Sequence, residues 1–481
     1  MSELSLRMID GTEIVLPPSL NAITTYVILE QEKWFEKEAG FLASWLRPGM
    51  NVIDIGANLG VYSLPIARQV GPDGQVFAYE PASETRRLLN ISKKKNRARN
   101  LHIIAEALSD GEREGHLVLG VSSELNTLVG SGPGENVRIT SLDMEEKSRP
   151  WGAIDFVKID AEGEEERILA GGKSFFNRQS PLIMFEVKAG DKPNENLVSA
   201  FIASGYGIYR LLCGAPLLVP FAADEKIDSY ELNLFAAKPD RAASLSHDGF
   251  LIEKNNAWMP DDATRANAIE FIRAQPFAPP FKQLLAESTP IDPKYRDALA
   301  GYAAWRSINL PLAQRYAALI FAYDSLLNVC EKEATLARLS TLARVSWEMG
   351  RRTISVNALK MLADMHKRGT GLMEEPFWPA SARFDGIAPG ANVIQWFVVA
   401  ALEQFELTAT YSTMFGSSGV DLAWLSAQPF VSAEIERRRI LMRSRAGQKM
   451  RIPDRLMKQA IDHINAESWR GGLVPNTKPR V

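Results

Sequence analysis

Cysteine is almost absent from this chain: Cys213 and Cys330 are the only two in 481 residues. They lie far apart, which argues against a disulfide framework or a cysteine-based zinc site, and reduced thiols in a cytoplasmic setting fit best. Histidine is scarce as well, five in all, and none falls within the acidic motifs below, so a two-histidine metal centre is disfavoured and no metal is expected. An excess of one charge is also missing. Lys and Arg number 55 against 58 Asp and Glu, for a net charge of −3, which does not suggest a general nucleic-acid binder. No apolar run reaches the ~18 residues of a membrane-spanning helix. The opening MSELSLRMIDGTEIVLP has no apolar stretch behind a basic one, so no signal peptide is expected.

What is present describes a globular protein, with 46% apolar and 23% charged residues, too long for one ordinary core. The pattern divides it near residue 240. Residues 1–50 read as an N-terminal hairpin (LSLRMIDGTEIVLP) and a helix (QEKWFEKEAGFLASWL). In 51–240, NVIDI, QVFAYE, LHIIAE, IDFVKID and PLIMFEV alternate with helical segments. These runs are nearly continuous in Val, Ile and Phe, as strands buried on both faces of a parallel sheet must be. The expected fold is α/β, doubly wound and mostly parallel, with an antiparallel closing hairpin at YGIYRLL and ELNLFAAK. PDRAASLSHDG at 239–249 reads as a linker. Residues 250–481 read as a second, all-α domain whose spacing resembles helix-hairpin repeats, although no unit repeats cleanly.

The first strand ends in NVIDIGANLG, with Asp54, Gly56, Asn58 and Gly60 at its turn. In a parallel sheet the ligand crevice lies at the carboxyl ends of the strands. A dinucleotide site needs glycine where Asn58 stands, so that backbone can approach a pyrophosphate. S-adenosylmethionine has no pyrophosphate and suits the turn better, with Asp54 placed to accept its ammonium. Glu80 ends the second strand 24 positions beyond Gly56, where a carboxylate can accept both ribose hydroxyls. Glu106 and Ala107, with Leu108, close the third strand and offer backbone and an apolar wall to adenine.

A second acidic cluster follows in IDFVKIDAEGEEERIL. Asp160 and Glu162 sit where the fourth strand opens into the same crevice, and Glu186 ends the fifth strand facing them. Three carboxylates suit a sulfonium donor and supply a general base for a hydroxyl acceptor, which makes Asp160, Glu162 and Glu186 the catalytic candidates, with Asp160 also beside the cofactor. Alignment of the reacting atoms supplies most of the rate, and proton removal about 10²–10⁴-fold. Glu164, Glu165 and Glu166 read instead as complements of a helix dipole. Lys158, inside the strand, is either a buried ion-pair partner or points out of the sheet.

Residues 34–238, about two-fifths of the chain, resemble the FkbM family of S-adenosylmethionine-dependent methyltransferases. The resemblance is carried by WFEKEAGFLASWLRPGMNVIDIGANLGVYSLPIA, VFAYEP, IDFVKIDAEGEEERILAGG and PLIMFE. It implies the class I methyltransferase fold and methylation of hydroxyl groups, among them those of sugars in bacterial polysaccharides. It also implies that Asp54, Gly56, Asn58 and Gly60 form the cofactor loop, that Glu80 holds ribose, and that Asp160 and Glu162 lie beside the transferred methyl. SSELNTL (122–128) resembles a segment bordering the acceptor pocket.

The helical half is rich in tryptophan and carries a basic stretch, ERRRILMRSRAGQKMRIPDRLMK (436–458). Its arginines read either as a solvated helix surface or as a grip for a phosphorylated or lipid-linked glycan. The expected function is therefore O-methylation of a glycan or small-molecule hydroxyl, with a protein partner for the helical half as a further reading. An NAD(P)-dependent oxidoreductase, and an inactive methyltransferase fold serving as a scaffold, remain the alternatives at this level.

Overall fold

A computed structural model describes residues 3–120, 123–129, 134–149, 151–189, 192–222, 225–253, 257–371 and 373–471. An eight-stranded sheet organises its first half: β1 (Val52–Ile55), β2 (Val76–Tyr79), β3 (Leu101–Ile104), β4 (Phe156–Ile159), β5 (Leu182–Glu186), β6 (Gly207–Leu211), β7 (Leu218–Pro220) and β8 (Asn233–Ala237), in the order β7-β6-β8-β5-β4-β1-β2-β3. The first five strands run parallel, and β8 is antiparallel to both β5 and β6. Every residue of β1 and β4 is buried, which is why these strands lack polar alternation. Val52, Val76, Phe156 and Met184 join one core with residues of helices Glu38–Trp45, Ser63–Val70 and Ser83–Lys95. Ile53, Val157, Ile183 and Phe185 join another with Phe175, Leu197 and Phe201. The sheet is thus doubly wound.

Three local expectations change. LHIIAE is not one strand: β3 stops at Ile104, and Glu106–Leu108 pairs in parallel with Glu135–Thr140 in a separate four-stranded sheet that also holds Arg113–Val118 and Thr127–Val129. Glu106 therefore opens a strand of the small sheet and does not close one of the large sheet. Arg138, its partner in register, draws the Glu106 carboxylate to 3.3 Å. Residues 31–46 are not one helix either. Helix Ile23–Gln31 ends at Glu32 in the left-handed region (φ 60°), and Glu38–Trp45 begins only after an irregular turn. The 239–249 linker is in fact helix Pro239–His247, begun by proline at its first position and fastened to the sheet by buried Ala242 and Leu245.

The second half is helical, with Asp262–Arg273, Pro293–Arg306, Leu312–Lys332, Leu336–Glu348, Arg352–Arg368 and Val393–Ala409 packed in succession. Trp305, Trp378 and Trp396 fill its core, so these rings serve packing. The last described segment turns back. Ile440, Leu441, Ile452, Leu456 and Trp469 join the core of Leu16, Leu29 and Val52, and Asn465 exchanges hydrogen bonds with the backbone of Arg7 (2.8 Å each). Helix Ala433–Arg445 packs on helix Ile23–Gln31. No helix among the described residues is long and apolar enough to cross a membrane.

Two arginines of the basic stretch are spent on this closure, while Arg445, Lys449, Arg451 and Arg455 stay exposed. Arg438 is 1% exposed, 3.1 Å from both Glu406 and Glu434. Arg437 is buried as well; it donates to the Glu30 carbonyl at 2.7 Å and lies 3.6 Å from Glu32. Neither the solvated surface nor a phosphate grip describes these two side chains. Removing one partner of such a buried pair strands the other charge. Arg438→Ala should lower stability by ~3–5 kcal/mol in chemical denaturation, whereas Arg451→Ala, at an exposed position, should change it by less than about 0.5 kcal/mol.

Candidate active site

The parallel register places the site. Lys158 on β4 stands directly beside Asp54 on β1, so two consecutive loops, 56–60 and 160–163, emerge side by side. They touch at Gly56. Its φ is +76°, and a Cβ there would lie 1.8 Å from the Asp160 carbonyl oxygen, so no side chain is tolerated. Asn58 also has positive φ (48°), and its N–H donates to Glu80 Oε2 at 2.8 Å. Glu80 Oε1 accepts from the Ala82 N–H, also at 2.8 Å. Each Glu80 oxygen keeps a lone pair for a further donor. Burial pushes its carboxyl up to about 7. Gly60 is different: it does not line the crevice, and a Cβ would meet Leu89 at 2.4 Å, so it serves helix packing and not ligand contact.

These loops floor a cavity of about 520 Å³ at the carboxyl ends of β1, β2, β4 and β5. Asp54, Gly56, Asn58, Glu80, Glu106, Ala107, Asp160, Glu162 and Glu186 all line it. Ala107, Leu108, Leu117 and Leu128 give one end an apolar wall. From the segment matching SSELNTL, Ser123, Glu124 and Asn126 also line it, and Ser122 lies outside the described residues.

Lys158 is the only basic side chain among the described residues lining this cavity. Its ammonium donates to Asp160 at 2.7 Å, lies 3.9 Å from Asp54 and sits 5.3 Å over the Tyr62 ring. Burial works against its charge, yet Asp160, Asp54 and Glu36 offset this and hold it above the usual lysine range. Asp54 is fully buried. Its Oδ2 accepts from Ser63, while Oδ1 makes no hydrogen bond among the described residues. Asn58 Oδ1 is likewise a buried acceptor with no such bond.

Asp160, Glu162 and Glu186 converge, with one oxygen from each within 4.8 Å of the others. A hard cation could bridge that spacing, although Lys158 already supplies positive charge to Asp160. Burial first, then repulsion from Asp160 and Glu162, pushes Glu186 up to about 9. Crowding by protein, then Asp160 and Glu165, push Glu162 up to about 7 even though its edge is exposed. Glu162 sits at φ +47°, and Glu165 holds that turn by accepting the N–H groups of Ala161 (2.9 Å) and Gly163 (3.1 Å). Glu165 thus positions the loop in addition to opening its helix.

Glu36 escaped the sequence reading. It lies in the turn between the two N-terminal helices and accepts from Tyr62 (2.6 Å), Trp34 (2.9 Å) and Asn233 (2.9 Å) while lining the cavity. Burial, then Asp160, raises its carboxyl above the ordinary range. Within QEKWFEKEAG nothing separates it from its helix-like surroundings. The cue would have been the aromatic pair Trp34–Phe35 beside an acid.

A model of the methyltransferase FkbM domain matches residues 54–201. Residues 54–201 form an FkbM methyltransferase domain. With its closing antiparallel strand β8, the α/β half has the class I methyltransferase fold. Solved structures similar to it include a methyltransferase FkbM from Methylobacillus flagellatus KT (16% identity, 40% of this chain and 45% of that one, TM-score 0.29). Others are an S-adenosylmethionine-dependent O-methyltransferase from Thermotoga maritima (16% identity, 49% and 77%, TM-score 0.27) and Aeropyrum pernix fibrillarin with bound S-adenosylmethionine (13%, 49% and 82%, TM-score 0.25). The chain thus spans less than half the length of the Methylobacillus protein. No curated protein matches it.

Within the FkbM domain the raised acids carry a stability signature. Glu186 holds its proton to about pH 9 when folded but to an ordinary 4.5 when unfolded, so folded stability falls as pH rises between those values. Glu186→Gln removes that slope. Its denaturation midpoint should match the parent near pH 5 and exceed it increasingly toward pH 9.

Proposed function

We propose that this protein is an S-adenosylmethionine-dependent O-methyltransferase acting on a hydroxyl group of a saccharide. The observation that carries the reading is the pairing of the Gly56–Asn58 turn and Glu80 with three carboxylates in one cavity. The residues fit the donor. Asp54 Oδ1 and Asn58 Oδ1 are buried acceptors with no hydrogen bond among the described residues, as a site for an ammonium and polar nucleoside edges requires. Glu80 has lone pairs left for ribose hydroxyls, and Ala107 with Leu108 flanks the adenine end. When bound, the donor supplies an electrophilic methyl on a sulfonium.

The chain's own residues then orient and deprotonate. Lys158 fixes Asp160, and Asp160, Glu162 and Glu186 bring oxygens within 4.8 Å of one another, where Asp160 would attract the donor's sulfonium when it is bound. Glu162, with its carboxyl near neutrality, is the base that takes the acceptor proton; Glu186, protonated at pH 7, donates a hydrogen bond to the acceptor oxygen. Asn58, where a dinucleotide site needs glycine, sets the site against a pyrophosphate.

Calorimetry should show one S-adenosylhomocysteine bound per chain, weakened by roughly tenfold or more in Glu80→Ala, where two hydrogen bonds to a charged group are lost. NADH should not compete, and binding of NADH in place of the homocysteine would overturn the reading. With methyl-labelled donor and bacterial glycan extracts, label should enter an O-methyl sugar. The rate should rise with pH through about 7 as Glu162 loses its proton. Glu162→Gln should remove that limb and lower kcat about 10²–10⁴-fold.

A further inference from the structure

The cavity has a second wall that the FkbM domain does not supply. Tyr411 and Phe415, from the loop that follows helix Val393–Ala409, line it together with Trp34 and Phe35. Phe35 meets Tyr411 at 5.3 Å and Phe415 at 5.7 Å between ring centroids, and Trp34 at 4.6 Å. Phe415 is 50% exposed, a large apolar ring left open at the cavity. The platform is held from behind. The Arg352 guanidinium lies 4.1 Å from the Tyr411 ring, the Tyr411 hydroxyl donates to the Tyr230 carbonyl, and the Tyr411 carbonyl accepts from Gln31 at 2.5 Å. Thr413 donates its N–H to Glu30 at 3.1 Å, and its hydroxyl is 2.8 Å from that of Tyr26. The loop is fixed to the first helix of the methyltransferase half.

The charge on the rest of the cavity restricts what can rest on this platform. Glu106 and Glu164 face arginines at 3.3 and 3.2 Å, and Lys158, the only basic side chain among the described lining residues, is already bonded to Asp160. A phosphate or carboxylate near the methyl end would find no unengaged cation among these residues to offset its desolvation. Arg437 and Arg438, two of the arginines that might have gripped an anion, are buried in ion pairs elsewhere.

Resting on the methyltransferase reading above, we infer that the Tyr411–Phe415 loop selects the acceptor: it stacks an uncharged pyranose ring on the exposed face of Phe415, which Phe35 braces edge-on at 68°, and presents the sugar hydroxyl to the acidic cluster, while anionic sugars are refused. Phe415 is a specificity residue contributed by the helical half. Its CH-rich partner needs no charge, only a flat apolar face against the ring.

Saturation-transfer NMR on the full chain, saturated with S-adenosylhomocysteine, tests this. The probes are the methyl glycosides of glucose, galactose, mannose and rhamnose, with glucuronate and glucose 6-phosphate as anionic counterparts. At least one neutral glycoside should receive saturation and both anions should receive none. Phe415→Ala should cut the responding signal by roughly fivefold, and Phe415→Trp should restore it. In both variants calorimetric affinity for S-adenosylhomocysteine should stay within about twofold, the loop lying at the acceptor wall. Signals from the anions, silence from every neutral glycoside, or an unchanged Phe415→Ala response would each overturn the inference. Failure to bind S-adenosylhomocysteine would instead sink the methyltransferase reading itself.

Discussion

A single buried ammonium holds the crevice together. Lys158 reaches from β4 to Asp160 at 2.7 Å and to Asp54 at 3.9 Å, and around it stand Glu36, Glu162 and Glu186. Without that cation the loops after β1 and β4 would bring like charges together in a place with little water to screen them. With it, the two loops can run close enough for the Gly56 backbone to touch the Asp160 carbonyl. Burial first, and then repulsion from Asp160, pushes Glu36, Glu162 and Glu186 upward and not downward. Acid–base capacity near neutrality is a by-product of how the sheet is paired.

Two non-glycine residues in the left-handed region, Asn58 and Glu162, lie in the two loops that line this cavity. Such conformations persist only when their surroundings over-determine them. Here Glu80 does so for one turn and Glu165 for the other, each by accepting backbone N–H groups. Two carboxylates that a sequence reading assigns to ribose and to a helix dipole also shape the loops on which the chemistry depends.

The legible part of this protein was whatever is encoded locally. Continuous Val, Ile and Phe runs mark strands buried on both faces, and a glycine turn after such a strand marks a crevice, so the sheet and most of its lining residues could be read directly. Glu36, Tyr411 and Phe415 could not be, because each lies in an irregular segment whose role comes from a partner hundreds of residues away, or, for Glu36, from Asn233 and Asp160. Arg437 and Arg438 were illegible for the same reason: within a run of charged residues they look solvent-bound, yet they find Glu32 and Glu406 across the fold. The supposed linker carried helix signals that composition masked, proline at its start and Asp240 in its first turn. Glu106 was misplaced because an unbroken run of strand formers conceals a change of sheet between Ile104 and Glu106.

The mutual hydrogen bonds of Arg7 and Asn465 have a consequence for how the chain is made. The hydrophobic cluster that backs β1 includes Trp469, so ribosomal synthesis delivers this piece long after the strand it covers. Folding that proceeds domain by domain from the amino terminus would leave this surface bare while the roughly 230 residues from β8 to Trp469 are still being added, a period of about 12–46 s at 5–20 residues per second. Over that interval the nascent α/β half exposes apolar surface that the segment carrying Trp469 later covers.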